Sequence, residues 1–326
     1  MKVKSLEEKD YRDRKRLFIL GAIAVAVIGL FLFQGLNARN FSYNLSRRIP
    51  KVIAIVLTGG SIAFSSMIFQ TVTNNRILTP SILGLDSLYM FIQTISVFLF
   101  GASSVFMVNK NVNFLVSVVV MLAGTLILYQ FLFKKSGKNN LFFLLLVGTV
   151  LGTLFKSMTS FMQVLIDPNE FEVLQSKMFA SFSNVNTDIL IISIVAVLII
   201  VVLIYDQLGK LDVMLLGREQ AINLGIDYDK FSKKILLIVA VLVSISTALV
   251  GQITFLGLLV VNLSYQFFES YKHKYQIMGA VLISIIALVG GQFVVERILN
   301  FSSTVSIIIN FIGGIYFIYL LLQEGK

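Results

Sequence analysis

The sequence predicts an all-α integral membrane protein with about ten transmembrane helices and both termini in the cytoplasm, and three observations carry that expectation. Hydrophobic residues make up 57% of the 326 residues and charged residues 13%, with a mean hydropathy of +0.88. A soluble chain of this length cannot bury that much apolar surface, so lipid must solvate much of it. The apolar residues are also gathered into long runs, and the basic residues between those runs fall mainly on one side.

The runs are 17–36, 52–69, 87–107, 112–133, 141–165, 189–205, 235–268, 275–295 and 298–322, all without charge except for Lys156 inside the fifth. The first follows a basic tail, 1–16, and has no small-residue cleavage signature, so it reads as a retained span opening a membrane domain over 17–326. The run 235–268 has 34 residues. As one helix it would be about 51 Å long, against a hydrocarbon core of roughly 30 Å. Gly251-Gln252 offers a break near its middle, which makes two spans there and ten in all. An even number places both termini on one side. If that side is cytoplasmic, nineteen Lys and Arg lie inside and seven outside, as the positive-inside rule requires. The formal charge of +10 is then a topology signal, and no nucleic-acid partner is expected.

Several chemistries are excluded. There is no Cys for a disulfide or thiolate site, and a single histidine, His273, cannot supply an H-E-x-x-H zinc site. Flanked by Lys272 and Lys274, His273 is expected to be a solvated loop residue. No phosphate-binding loop of the G-x-x-x-x-G-K-[ST] type occurs, so the chain is not expected to hydrolyse ATP with one.

Two connections are too patterned to be linkers. Segment 166–187, marked by Asp167-Pro168, should carry a short surface helix on the outside. On the inside, 206–234 places Val213, Leu215, Leu216, Ala221, Ile222, Leu224 and Ile226 among charges, with Gly217 and Gly225 as stops. That is the pattern of two short amphipathic helices. Its composition fits docking into a partner's groove and a helix lying on the inner leaflet equally well.

Within the runs, Lys156, Ser160 and Gln163 fall on one face of the fifth span and are candidates for a translocation path, as is Asn262. An intramembrane Lys is costly and faces protein or water. Ser, Thr and Gln equally serve as glue between helices. Gly148 and Gly152 form a G-x-x-x-G expected to pack within the chain.

Three motifs carry a family resemblance. Arg48-Ile49-Pro50 leads to Gly60, Ala63, Ser65 and Gln70, then Asn75, Pro80, Leu83 and Gly84. The string Leu216-Gly217-Arg218-Glu219-Gln220-Ala221-Ile222-Asn223-Leu224-Gly225-Ile226 follows, then Val250-Gly251-Gln252-Ile253-Thr254-Phe255-Leu256-Gly257. In this order they resemble the FecCD family of ABC-importer permeases, over about residues 48–322. The chain departs from the family pattern at Lys51, Ser66 and Arg76, at Val261-Asn262-Leu263-Ser264-Tyr265 where Pro, His and Arg are usual, and at Ile315.

The resemblance implies a BtuC-like permease fold in a bacterial cytoplasmic membrane. It implies that Leu216, Gly217, Arg218, Glu219, Ala221, Ile222, Leu224 and Gly225 couple to a separate ABC ATPase, which hydrolyses the ATP, while this chain binds no cofactor or metal. It implies a second permease subunit and an extracellular or periplasmic substrate-binding protein, with Arg48, Lys51 and Arg297 at positions that contact acids on that protein. Headgroup anchoring at helix ends is the other reading of those cations. The expected cargo is an iron(III)-siderophore, with haem or cobalamin as alternatives. A self-sufficient secondary transporter would show charged relay residues or paired broken helices near mid-membrane.

Overall fold

A computed structural model describes residues 6–37, 41–135, 141–183 and 185–324. Its helices are α1 (Leu6–Phe33), α2 (Phe41–Thr73), α3 (Leu85–Phe100), α4 (Val105–Val108), α5 (Lys110–Lys135), α6 (Leu141–Leu165) and α7 (Pro168–Met178). The second half holds α8 (Thr187–Tyr205), α9 (Leu208–Met214), α10 (Arg218–Asn223), α11 (Tyr228–Val250), α12 (Leu256–Phe267), α13 (His273–Arg297) and α14 (Val305–Glu324). A 3₁₀ turn spans Pro80–Leu83, and no strand occurs among the described residues. Eight helices are long and apolar enough to cross a membrane, so this is a multi-pass membrane protein. Two shorter apolar helices, α3 and α12, fall on the run 87–107 and on the second half of the run 235–268.

Both short helices follow broken backbone. After α2, Asn74 adopts φ +48, the side chain of Asn75 accepts from the Ile77 amide, and Gly84 turns the chain into α3 at φ +78. After α11, Gly251 at φ +101 stops the helix, as expected from Gly251-Gln252, and α12 begins at Leu256. Irregular backbone at membrane depth survives only where protein satisfies its polar groups. Here Val250 O accepts from Ser181 N at 2.9 Å, Asn310 Oδ1 accepts from Phe255 N at 3.3 Å, and the Gln252 amide donates to Met178 O at 3.1 Å.

α2 stands between two apolar cores. Phe64, Ile68, Phe69 and Val72 face one core, shared with α3, α5, α8 and α11. Val52, Ala54, Ile55, Ala63 and Met67 face the other, shared with α1, α12, α13 and α14. Lipid is as apolar as these side chains, so packing and close approach hold the helices together more than the hydrophobic effect does. A close backbone approach joins Gly84 to the G-x-x-x-G on α6: a Cβ at Gly84 would lie 3.0 Å from both Gly148 O and Gly152 Cα. Gly148 and Gly152 therefore pack inside the chain, as expected.

Hydropathy misplaces three boundaries. α3 stops at Phe100 because Gly101 takes φ +76, although the charge-free run continues to 107. α14 starts at Val305, after a turn with Asn300 and Phe301 at positive φ, although its run begins at 298. α2 starts at Phe41, so Pro50 lies inside the helix and Arg48-Ile49-Pro50 does not mark its beginning. The surface helix expected after Asp167-Pro168 is α7, whose first turn is capped by Asp167 Oδ1 accepting from Asn169 N at 2.9 Å.

Candidate coupling face and translocation path

The segment between α8 and α11 folds as the two expected short helices. Leu211 and Met214 of α9 are buried, anchoring it to the bundle. Gly217, at φ +95, separates α9 from α10. α10 ends on Gly225 at φ +86, where Ile226 N donates to Ala221 O and Gly225 N to Ile222 O at 3.0 and 2.9 Å. This is a Schellman cap, and it needs the left-handed conformation that glycine adopts without strain. The side chains then sort by direction. Ala221 is fully buried, whereas Leu216, Ile222 and Leu224 are 57%, 44% and 62% exposed. Ala221 therefore does not share the outward face of Ile222 and Leu224; it packs inward from a helix of 6 residues. Glu219 is exposed, and Arg218 reaches Asp229 at 3.3 Å across the start of α11.

This loop is tied to the membrane helices by the one histidine. His273 is 2% exposed, not solvated, and opens α13. Its Nδ1 lies 2.6 Å from Asp212 Oδ1 of α9, and its Nε2 lies 2.7 Å from Thr71 Oγ1 near the end of α2. The same carboxylate accepts from His273 N at 2.8 Å. A carboxylate offers only acceptors, so Nδ1 carries its proton toward Asp212. Tyr228 adds a second tie, donating to Val72 O at 3.2 Å. The connection between α12 and α13 joins this loop face too: Asp13 of α1 is buried and accepts from Glu269 N and Ser270 N at 3.2 and 2.8 Å.

At the far ends of α2 and α13, the three candidate docking cations are engaged within the chain. Arg48 Nη1 donates to Phe31 O, Leu32 O and Gln34 O at 3.3, 2.7 and 2.9 Å, capping the carbonyls left free where α1 ends. Arg297, exposed, donates to Gln34 O at 3.3 Å. Lys51 forms a 2.8 Å ion pair with Glu296, with side chains only 14% and 11% exposed.

The candidate path residues separate into two places. Lys156 and Ser160 are exposed on α6, and the half-buried Gln163 has an amide nitrogen without a partner among the described residues. Lys156 also borders a 170 Å³ cavity with Ser81, Ser87, Thr149 and Thr153. Asn262 lies elsewhere: it is buried in α12, and its amide donates to Arg76 O and Leu258 O at 3.0 and 2.9 Å, pinning the turn after α2.

The ordered breaks, the short paired loop helices and the central α2 find a counterpart among known proteins. The profile of the FecCD transport family matches residues 17–323. The chain belongs to the FecCD transport family. It is 61% identical to the petrobactin import system permease protein YclO of Bacillus subtilis, over 97% of this chain and 99% of that one. It is 37% identical to the petrobactin import system permease protein FatC of Bacillus anthracis, over 96% of this chain and 92% of that one. A solved structure described as an inward-facing conformation of a metal-chelate type ABC transporter shares the fold, with a TM-score of 0.80 at 21% identity, covering 95% of this chain and 99% of that one.

For this FecCD chain, sequence reasoning found the loop helices and missed the latch beneath them. Nothing in Lys272-His273-Lys274 announces burial, because Thr71 and Asp212 lie 202 and 61 residues away. The neighbouring lysines point elsewhere, Lys272 pairing with Asp10 at 2.7 Å.

Proposed function

We propose that this chain is the membrane-spanning subunit of an ABC importer for an iron(III)-siderophore of the petrobactin class, seated in the bacterial cytoplasmic membrane. It works beside a second permease subunit, a substrate-binding protein and a separate ATPase that hydrolyses the ATP. The 61% identity to a petrobactin import permease supports the cargo. The loop face is cytoplasmic in this reading, in keeping with its share of Lys and Arg. The 3.0 Å bond from the Gln266 amide to Tyr316 draws the later part of α14 toward the same side, which supports both termini lying there.

The coupling assignment rests on one observation: Leu216, Ile222 and Leu224 expose large apolar side chains on a capped, anchored loop outside every span. Such a patch marks an interaction site. Movement of α9 and α10 under the ATPase would reach α2 and α13 through Asp212, His273 and Thr71. Lys156 and Ser160 support a path along α6, since an exposed Lys at that depth has to meet water or a second subunit and not lipid.

The test is co-purification of the ATPase with Leu224→Glu and Ile222→Glu chains. Each removes an apolar contact worth ~2 kcal/mol and buries a charge, so ATPase binding should weaken by about thirtyfold or more while the permease still inserts. Retention of the ATPase by both variants would sink the assignment and leave α9–α10 as a helix pair on the inner leaflet.

A further inference from the structure

The face opposite the α9–α10 loop carries a cavity that nothing in the coupling or path argument uses. It has a volume of 360 Å³ and lies among α3, α5, α7, α8 and the end of α11. Its chemistry is one-sided. Lys110, the first residue of α5, and Lys177, near the end of α7, both line it, and among the described residues no carboxylate does. Lys177 is half-buried and has no counter-charge among the described residues. Burial, together with the nearby Lys110 ammonium, holds the Lys177 ammonium below its usual pKa.

The neutral groups in the wall are donors as well. Ser181 Oγ accepts from Ser183 N at 3.3 Å, which leaves its hydroxyl proton free. Tyr89, 3% exposed, lines the same wall, and its hydroxyl has no partner among the described residues. The amides of Asn113 and Asn186 are already committed, to Gln93 Oε1 and Asn111 Oδ1 at 2.9 and 2.8 Å. The Lys110 and Lys177 ammonium groups repel each other across this polar hollow. A group bearing several anionic oxygens relieves that repulsion, gives Lys177 a counter-charge and accepts from the two hydroxyls.

We propose that this cavity is a binding site for an oxyanion, a carboxylate or phosphate group, held by Lys177 and Lys110 with hydrogen bonds from Tyr89 and Ser181. The volume is ample for a small polycarboxylate or for the phosphate end of an anionic lipid, whose chains would lie along α5 or α8. Carboxylate and phosphate present the same oxygens to two lysines, so the shared chemistry is the proposal and the source is for experiment to decide. It does not depend on the coupling assignment.

The test uses the full chain in a neutral detergent, titrated with citrate and with inorganic phosphate. In parallel, the chain is placed in phosphatidylcholine nanodiscs with and without phosphatidylglycerol. Thermal unfolding and the mass of retained lipid are measured. The parent chain should be stabilised by citrate or phosphate if the anion is water-borne, or only by phosphatidylglycerol if it is a lipid headgroup. Either result supports the site. Lys177→Gln should lower the affinity about tenfold or more, and Tyr89→Phe should lower it less. In low-salt buffer without these anions, Lys177→Gln should be at least as stable as the parent, because a repulsion has been removed; a role in folding would predict the reverse. Lys230→Gln, on the exposed loop face, controls for net charge. The proposal is overturned if no probe stabilises the parent, if Lys177→Gln responds like the parent, or if Lys230→Gln loses the response equally.

Discussion

The two ends of the antiparallel α2–α13 pair are both held by polar side chains, and they are built differently. At the far end, Lys51 pairs with Glu296 across the two helices while Arg48 and Arg297 close over the last carbonyls of α1. Every partner there lies on, or one residue beyond, a helix already packed on its neighbours. At the loop end, His273 bonds to Thr71 of α2 and also to Asp212 of α9, an element of 7 residues outside every span. The first arrangement locks a corner. The second joins a small surface element to two spanning helices, so displacement of that element is felt by both. Rigidity at one end and a jointed contact at the other would let the loop face move against a fixed far face.

Ala221→Glu should have the largest effect. Ala221 is fully buried beneath α10, so the new carboxylate would be desolvated without a partner, at a cost of roughly several kcal/mol. The chain should still insert, transport should be lost, and limited proteolysis should cut within 206–234. This separates it from Leu224→Glu, which should lose the ATPase with the loop still protected. If Ala221→Glu resists protease as the parent does, the inward packing of α10 is wrong.

Next comes the locked corner. Lys51→Ala leaves Glu296 buried beside Gln292, whose amide donates to it at 2.8 Å, so thermal stability should fall by roughly 3–5 kcal/mol. The double replacement Lys51→Met with Glu296→Gln should recover most of that loss. A single variant as stable as the parent would show that the pair is loose and exposed, and would return Lys51 to the docking surface.

The jointed contact should give the smallest change in stability and the most specific change in function. His273→Gln keeps hydrogen-bonding capacity on the same site and should cost about 1–3 kcal/mol. ATP hydrolysis by the assembled complex should persist while transport per ATP falls. Asp212→Asn should act in the same way, and the double variant should be no worse than either single one. Parallel losses of ATPase binding and of stability, with an unchanged transport-to-hydrolysis ratio, would reduce His273 to a structural residue.

Much of the site was legible in the chain because its determinants are local. Gly217 and Gly225 each had to sit at positive φ where a short helix stops, and Gly251 ended α11 for the same reason. A break at Asn74 and a turn at Pro80–Gly84 were likewise written in residue types that favour turns. Direction was harder to read. On a helix of 6 residues nothing in the sequence tells whether Ala221 or Ile222 meets the bundle, and only the path of α11 behind it decides.

By itself the sequence determined that this protein is a helical membrane protein, where its apolar runs lie, and which glycines and asparagines interrupt them, because hydropathy and backbone conformation are properties of neighbouring residues. Only the tertiary structure decided what the charged and polar residues do. His273, Lys51, Arg48 and Asn262 carry no local mark of their partners, which are 16 to 245 residues distant at Leu32, Asp212, Arg76, Thr71 and Glu296. A desolvated polar group must find a partner wherever packing brings one, and that partner is chosen in space rather than along the chain.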